Sequence, residues 1–139
     1  MLHIAKLAVG IRNVAHLRAV QAHRSLEEPP LCHRTRNMPR RAAEISGGGS
    51  LYWVIGGIMQ VRQRIVAIAA DTWEDGSRCA ALLLDPALAA VEPRPVKAFQ
   101  GWRYLEADAA PADLSANRAA EEAEMPESLR RKLLALGLL

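Results

Sequence analysis

Lysine is nearly missing from this chain: Lys6, Lys97 and Lys132 are the only three among eighteen Lys and Arg residues, which leaves fifteen arginines. Genomic base composition is one source of such a bias. Contact with phosphate is the other, because a guanidinium fork matches phosphate oxygens better than an ammonium does. Cysteine is as sparse. Cys32 and Cys79 stand alone, with no CxxC or Cys/His ligand spacing, which excludes a disulfide framework and a zinc motif and fits reduced thiols in the cytoplasm. No apolar run approaches the roughly 20 residues of a membrane-spanning helix. Arg12, Gly56-Gly57 and Asp85-Pro86 break the longest candidates, so no membrane partner is expected. The apolar stretch at residues 7–11 is shorter than the core of a secretory signal and is closed by Arg12, which again points to a cytoplasmic protein.

Catalytic signatures are missing too. His3, His16, His23 and His33 lack HxxxH or HExxH spacing, and Ser50, Cys32 and Cys79 lack a nucleophile motif such as GxSxG. Neither a metal nor a cofactor is expected, and no catalytic residue can be named. Residues 47–50, Gly-Gly-Gly-Ser, follow a helix and precede a strand, the reverse of the P-loop order, and lack the GKS or GKT ending. They read as a helix stop.

What is present is a globular balance, half hydrophobic and a quarter charged over 139 residues, enough for one core. The net charge of +3 is unevenly spread. Up to Arg64, ten Lys and Arg oppose Glu27, Glu28 and Glu44; from Ile65 onward, eight oppose twelve acids. The basic half is suited to an anion.

Periodicity predicts a first strand within residues 2–11 and a helix capped by Asn13 with Val14, Leu17 and Val20 on its apolar face. Glu27-Glu28-Pro29-Pro30 opens a loop to Asn37; a short helix begins near Pro39, and strands follow over residues 51–55 and 58–69. In the last of these Met59, Val61 and Ile65 should share one face and Gln60, Arg62 and Arg64 the other, with Gln63 interrupting the apolar row. Asp75-Gly76 signals a hairpin. Pro86, Pro93 and Pro95 mark an irregular path to a strand at residues 98–105. The expected fold is α+β: a mainly antiparallel sheet or small open barrel with two N-terminal helices and a C-terminal helix. The expected organisation is a core domain over residues 1–105, an acidic Ala/Pro-rich linker over 106–124, and a terminal helix over 125–139 that docks by Leu129, Leu133 and Leu136 or forms a homodimer contact.

The six aromatic residues are clustered. Tyr52 and Trp53 share one segment and Phe99, Trp102 and Tyr104 another, with Trp73 apart. Beside arginine such rings suit stacking on bases, although core packing competes for them. A phosphate-binding set is therefore drawn from Arg34, Thr35, Arg36, Arg40, Arg41, Arg62, Arg64 and Arg103, and a stacking or pocket set from Tyr52, Trp53, Gln100, Trp102 and Tyr104. The arginines near the second helix have a competing reading as a solvated basic turn.

Residues 35–63, TRNMPRRAAEISGGGSLYWVIGGIMQVRQ, together with Arg94-Pro95, AFQGWRYL at residues 98–105 and Ala110-Pro111, resemble a bacterial family, domain of unknown function 1489. The opening LHIAKLAVGI and the closing LRRKLLALGLL are similar to that family's ends. Gly56 stands where the family's lysine is expected, and Ala98 where proline is usual. The resemblance implies no activity. The order of short helix, Gly-rich turn and antiparallel ribbon also resembles the small barrels of PUA and ASCH-type domains, which implies RNA binding. A binding module for RNA, a nucleotide or another phosphate-bearing ligand is the leading expectation. The alternatives are an enzyme acting on a small anionic substrate, with Arg103 as clamp, and a structural or partner-binding protein.

Overall fold

The computed structural model describes residues 1–114. The chain runs β1 (Leu2–Leu7), α1 (Val14–Glu27), β2 (Cys32–Thr35), α2 (Ala42–Ser46), β3 (Ser50–Ile55), β4 (Ile58–Thr72), β5 (Arg78–Pro95) and β6 (Trp102–Glu106), then a 3-10 turn at Ala107–Ala109. All six strands belong to one sheet in the order β2-β5-β4-β3-β1-β6. β1 and β3 are parallel, and every other pairing is antiparallel.

This corrects the expected α+β architecture of a mainly antiparallel sheet or small barrel with two N-terminal helices and a C-terminal helix. The protein is strand-dominated, its sheet is mixed and open, and the described residues hold only two α-helices, of fourteen and five residues. The parallel pair follows from the crossover through α1, β2 and α2, which returns the chain to the same end of the sheet before β3 begins. Local periodicity carries no information on pairing direction. The terminal helix, its leucine stripe and its dimer contact lie outside the described residues, as do residues 115–124 of the expected linker. Residues 112–114 run along the outer side of β5, with Glu92 N–H donating to the Ala112 carbonyl and Leu114 N–H to that of Ala90.

Two further corrections concern β2 and the prolines. Residues 32–35, read as loop, form an edge strand on β5 from Ala80 to Leu83. The proline-rich stretch continues as β5, because Pro86 and Pro93 fall where the β4–β5 register shifts and no ladder N–H is required of them. A bulge at Gln60 also moves Met59 off the face expected for it. Trp53 is opposite Val61 but Val54 is opposite Met59, so Met59 joins Tyr52 and Val54 on one side of the sheet while Val61 and Ile65 lie on the other.

The larger core fills the side covered by α1 and α2, where Leu2, Ile4, Leu51, Trp53, Val61, Ile65, Leu82 and Leu84 meet Leu17 and Ile45. Asn13 caps α1 as its sequence predicts, its side-chain oxygen accepting from His16 N–H at 2.8 Å. The reverse side carries a smaller cluster of Ala5, Tyr52, Val54, Met59, Val91 and Phe99. No helix among the described residues is long and apolar enough to cross a membrane.

Candidate anion-binding site

Helical spacing places Val14, Leu17, Gln21 and Arg24 on one stripe of α1. Leu17 and Gln21 are buried against the sheet, and Arg24, in the last turn, comes to the rim. On the sheet below, strand alternation turns Lys6 to the same side as Trp53, its partner in β3. It likewise turns His33 to the side of Leu31 and Leu82. These side chains surround a cavity of about 160 Å³ between α1, β1, β2 and β3, otherwise lined largely by aliphatic residues, and among the described residues no carboxylate lines it.

A hydrogen-bond network fixes its floor. Gln63 and Gln21 exchange two amide hydrogen bonds of 2.8 Å, Trp53 Nε1–H donates to Gln63 Oε1 at 3.0 Å, and Gln63 Nε2 donates to the Asp85 carbonyl at 2.8 Å. The charged and imidazole side chains of the lining are Lys6, Arg24 and His33. Lys6 and Arg24 have no ion-pair partner among the described residues. His33 Nε2 is buried with no hydrogen-bond partner there, and its ring stands edge-on to Trp53 at 5.3 Å. Burial, and then the nearby charges of Lys6 and Arg24, hold the His33 pKa down to about 4. Burial lowers that of Lys6 as well. An open cleft of about 850 Å³ continues around the β2 edge, sharing Arg24, Cys32 and His33 with the cavity and reaching Arg34, Asp71 and Trp73.

The sites drawn from sequence are dispersed. Arg34 pairs with Asp71 at 3.0 Å. Arg41 forks onto Glu44 at 2.6 and 2.8 Å, reaches Glu106 at 2.9 Å, and its backbone N–H donates to the Tyr104 hydroxyl at 3.2 Å. Arg62 forks onto Asp113 at 2.6 and 2.8 Å and donates to Ser50 Oγ at 3.0 Å. Arg103 lies over the Phe99 ring at 4.6 Å. Thr35 is buried, and Arg36, Arg40, Arg64 and Gln100 are exposed. Of the rings, Tyr52 is buried on the reverse side edge-on to His3, whereas Trp53 faces α1. Trp102 and Tyr104 stand edge to face at 4.9 Å near the opposite edge of the sheet. The structure thus joins Trp53 to a cavity and Arg34 to the adjoining cleft, brings Arg36 beside Arg34 at the β2 edge and Arg41, Trp102 and Tyr104 together at the β6 edge, and leaves the others apart. Sequence reasoning missed Lys6, Gln21, Arg24 and His33. The signals were a lysine interrupting an apolar strand and two polar residues continuing the Val14–Leu17 stripe.

The unpaired His33 gives a pH-dependent stability. Its folded pKa of about 4 lies below the ordinary value of 6.5, so the unfolded chain binds more protons between those values. Stability from this group is complete above about pH 6.5 and is lost as pH falls towards 4, by at most about 3 kcal/mol. Urea midpoints should fall over that window in the native chain, and His33→Phe should flatten the slope. An equal slope in the variant would assign the loss to other groups.

An open mixed sheet with a cationic cavity beneath its long helix defines the class of molecule. Residues 4–139 match the family described as Protein of unknown function (DUF1489), and the chain belongs to that family. No curated protein and no solved structure matches it.

Proposed function

We propose that this protein is a binding module for a small anionic ligand, seated in the cavity between α1 and the β1–β2 end of the sheet. The observation that carries this reading is the convergence of Lys6 and Arg24, two cations with no ion-pair partner among the described residues, on the buried Nε2 of His33, which has no hydrogen-bond partner there. Buried polar groups are ordinarily satisfied, and a cationic rim with no counter-ion among the described residues is suited to an anion from solution. Of the anions expected from sequence, a small one fits this arrangement better than an RNA strand. Arg34, Arg41 and Arg62 are already neutralised by Asp71, Glu44, Glu106 and Asp113, which removes them from an extended phosphate-binding face.

The test is calorimetric titration of the native chain and of Lys6→Ala/Arg24→Ala at pH 7 and low salt. The ligands are inorganic phosphate, adenosine monophosphate, small carboxylates and a single-stranded RNA pool. A small anion should bind the native chain and lose at least about tenfold in affinity in the double variant, the effect of about 1.4 kcal/mol. RNA binding that is steeply salt-dependent yet unchanged in the double variant would overturn the proposal and place the ligand on the exposed arginines.

A further inference from the structure

Resting on that reading, we infer that the ligand is a small monocarboxylate with a compact apolar body, its carboxylate held at the rim by Lys6 and Arg24 and its body within the cavity against Trp53, Leu17, Leu31 and Leu84. Size is the first argument. The cavity measures about 160 Å³, and an apolar cavity of about 150 Å³ accepts a benzene ring. A nucleoside exceeds that volume, and inorganic phosphate would leave the apolar walls uncovered.

Donor supply is the second argument. Trp53 Nε1–H and the Gln21 amide, which also line the cavity, are committed to Gln63. Among the described residues Lys6, Arg24 and the unpartnered His33 remain to serve the anion, beside the weakly donating thiol of Cys32. Two carboxylate oxygens are matched by a guanidinium fork, an ammonium and one imidazole N–H; a phosphate dianion would balance the two positive charges but brings more acceptor oxygens than this set serves and offers nothing to the apolar walls. Among the described residues no carboxylate lines the cavity, so a ligand carboxylate meets no repulsion from them.

Benzoate and isobutyrate are the probes, titrated calorimetrically against the full chain at pH 7 beside benzamide, inorganic phosphate and adenosine monophosphate. The expected dissociation constant for benzoate is about 0.1–1 mM, ordinary for a ligand of this size. Benzamide, which keeps the ring and loses the charge, and phosphate, which keeps the charge and loses the body, should each bind at least about tenfold more weakly. Lys6→Met and Arg24→Gln should each weaken benzoate. Val20→Trp, which adds bulk at the half-buried lining position of α1, should abolish its binding while leaving the fold intact by circular dichroism. Because a variant can misfold, the native chain supplies a second readout: benzoate should shift the Trp53 indole and His33 imidazole NMR signals before any others. Binding of phosphate or the nucleotide but not of benzoate, lost in Lys6→Ala/Arg24→Ala, would overturn this inference and leave the anion site standing. Absence of binding by every probe, or binding unaffected by the double variant, would overturn both.

Discussion

Replacing Gln63 with alanine should destabilise the fold by about 3–5 kcal/mol, the upper part of the range for a single substitution. Gln63 is fully buried in the middle of β4, and each half of its amide is used twice. The oxygen accepts from Gln21 and Trp53, and the nitrogen donates to Gln21 and to the Asp85 carbonyl. Removing it strands an indole N–H, a carboxamide and a backbone carbonyl in a low-dielectric interior, and each costs about 1–3 kcal/mol when unmet, less whatever water entering the space restores. Gln63→Leu keeps most of the volume and should be nearly as harmful. Gln21→Leu/Gln63→Leu should recover part of the loss, because one of the stranded groups is gone. Urea denaturation followed by tryptophan fluorescence gives all four corners of this cycle. Additive losses would mean that the two amides do not act as a pair. Gln21 and Trp53 also line the cavity, so the same variants should weaken ligand binding.

The sequence announced this residue without explaining it: a glutamine at an apolar position of a strand is a buried polar group in search of partners. Its partners are 42 residues away on α1, 10 away on β3 and 22 away on β5, distances at which local pattern is silent. The features that were legible are those encoded within a few residues. They include the Asn13 cap, the end of α2 at Gly47 and the turn at Gly76, whose φ of 85° suits glycine. The parallel β1–β3 pairing, the short β2 edge and the course of β5 through its prolines depend on which segments meet, and were not legible.

The arginines repeat the lesson. Arg34 and Arg62 looked free because Asp71 and Asp113 stand 37 and 51 residues beyond them, whereas Arg41 has Glu44 only three residues on as well as Glu106 at 65. One grouping could have been separated from sequence alone. Tyr52 and Trp53 are adjacent on a strand and must face opposite sides of the sheet, so they never belonged to one stacking platform. The cavity residues come from β1, α1 and β2, one or two apiece, and no spacing rule joins Lys6, Arg24 and His33.

Gly49→Ala should cost at least as much as the loss of Gln63, with little or no folded protein as the expected outcome at 37 °C. The reason is contact. A Cβ at position 49 would run into the Leu2 carbonyl oxygen and approach the Ile45 carbonyl to 2.6 Å and the Ile45 Cα to 3.2 Å. These atoms are backbone, so no rotamer change relieves the clash. The first belongs to β1 and the others to α2, and Gly49 itself is tied on both sides, its N–H donating to the Ile45 carbonyl at 2.7 Å and its carbonyl accepting from Ile65 N–H at 3.0 Å. To admit one methyl group, α2 must lift from the sheet or β1 must part from the start of β3. Either movement exposes Ile45 or Leu2, both essentially inaccessible in the native fold. Overpacking in a core that can relax costs about 1–3 kcal/mol, and this site cannot relax without breaking backbone hydrogen bonds. Gly48→Ala is the informative control. Its new Cβ meets only the end of the Met1 side chain, at 3.3 Å, although its φ of 127° is itself unfavourable for alanine. A chain carrying Gly48→Ala should remain folded with a lowered melting temperature by circular dichroism, while one carrying Gly49→Ala should not fold. Equal melting temperatures for the two would show that strain at the loop, and not the contact of β1 with α2 across Gly49, sets the cost.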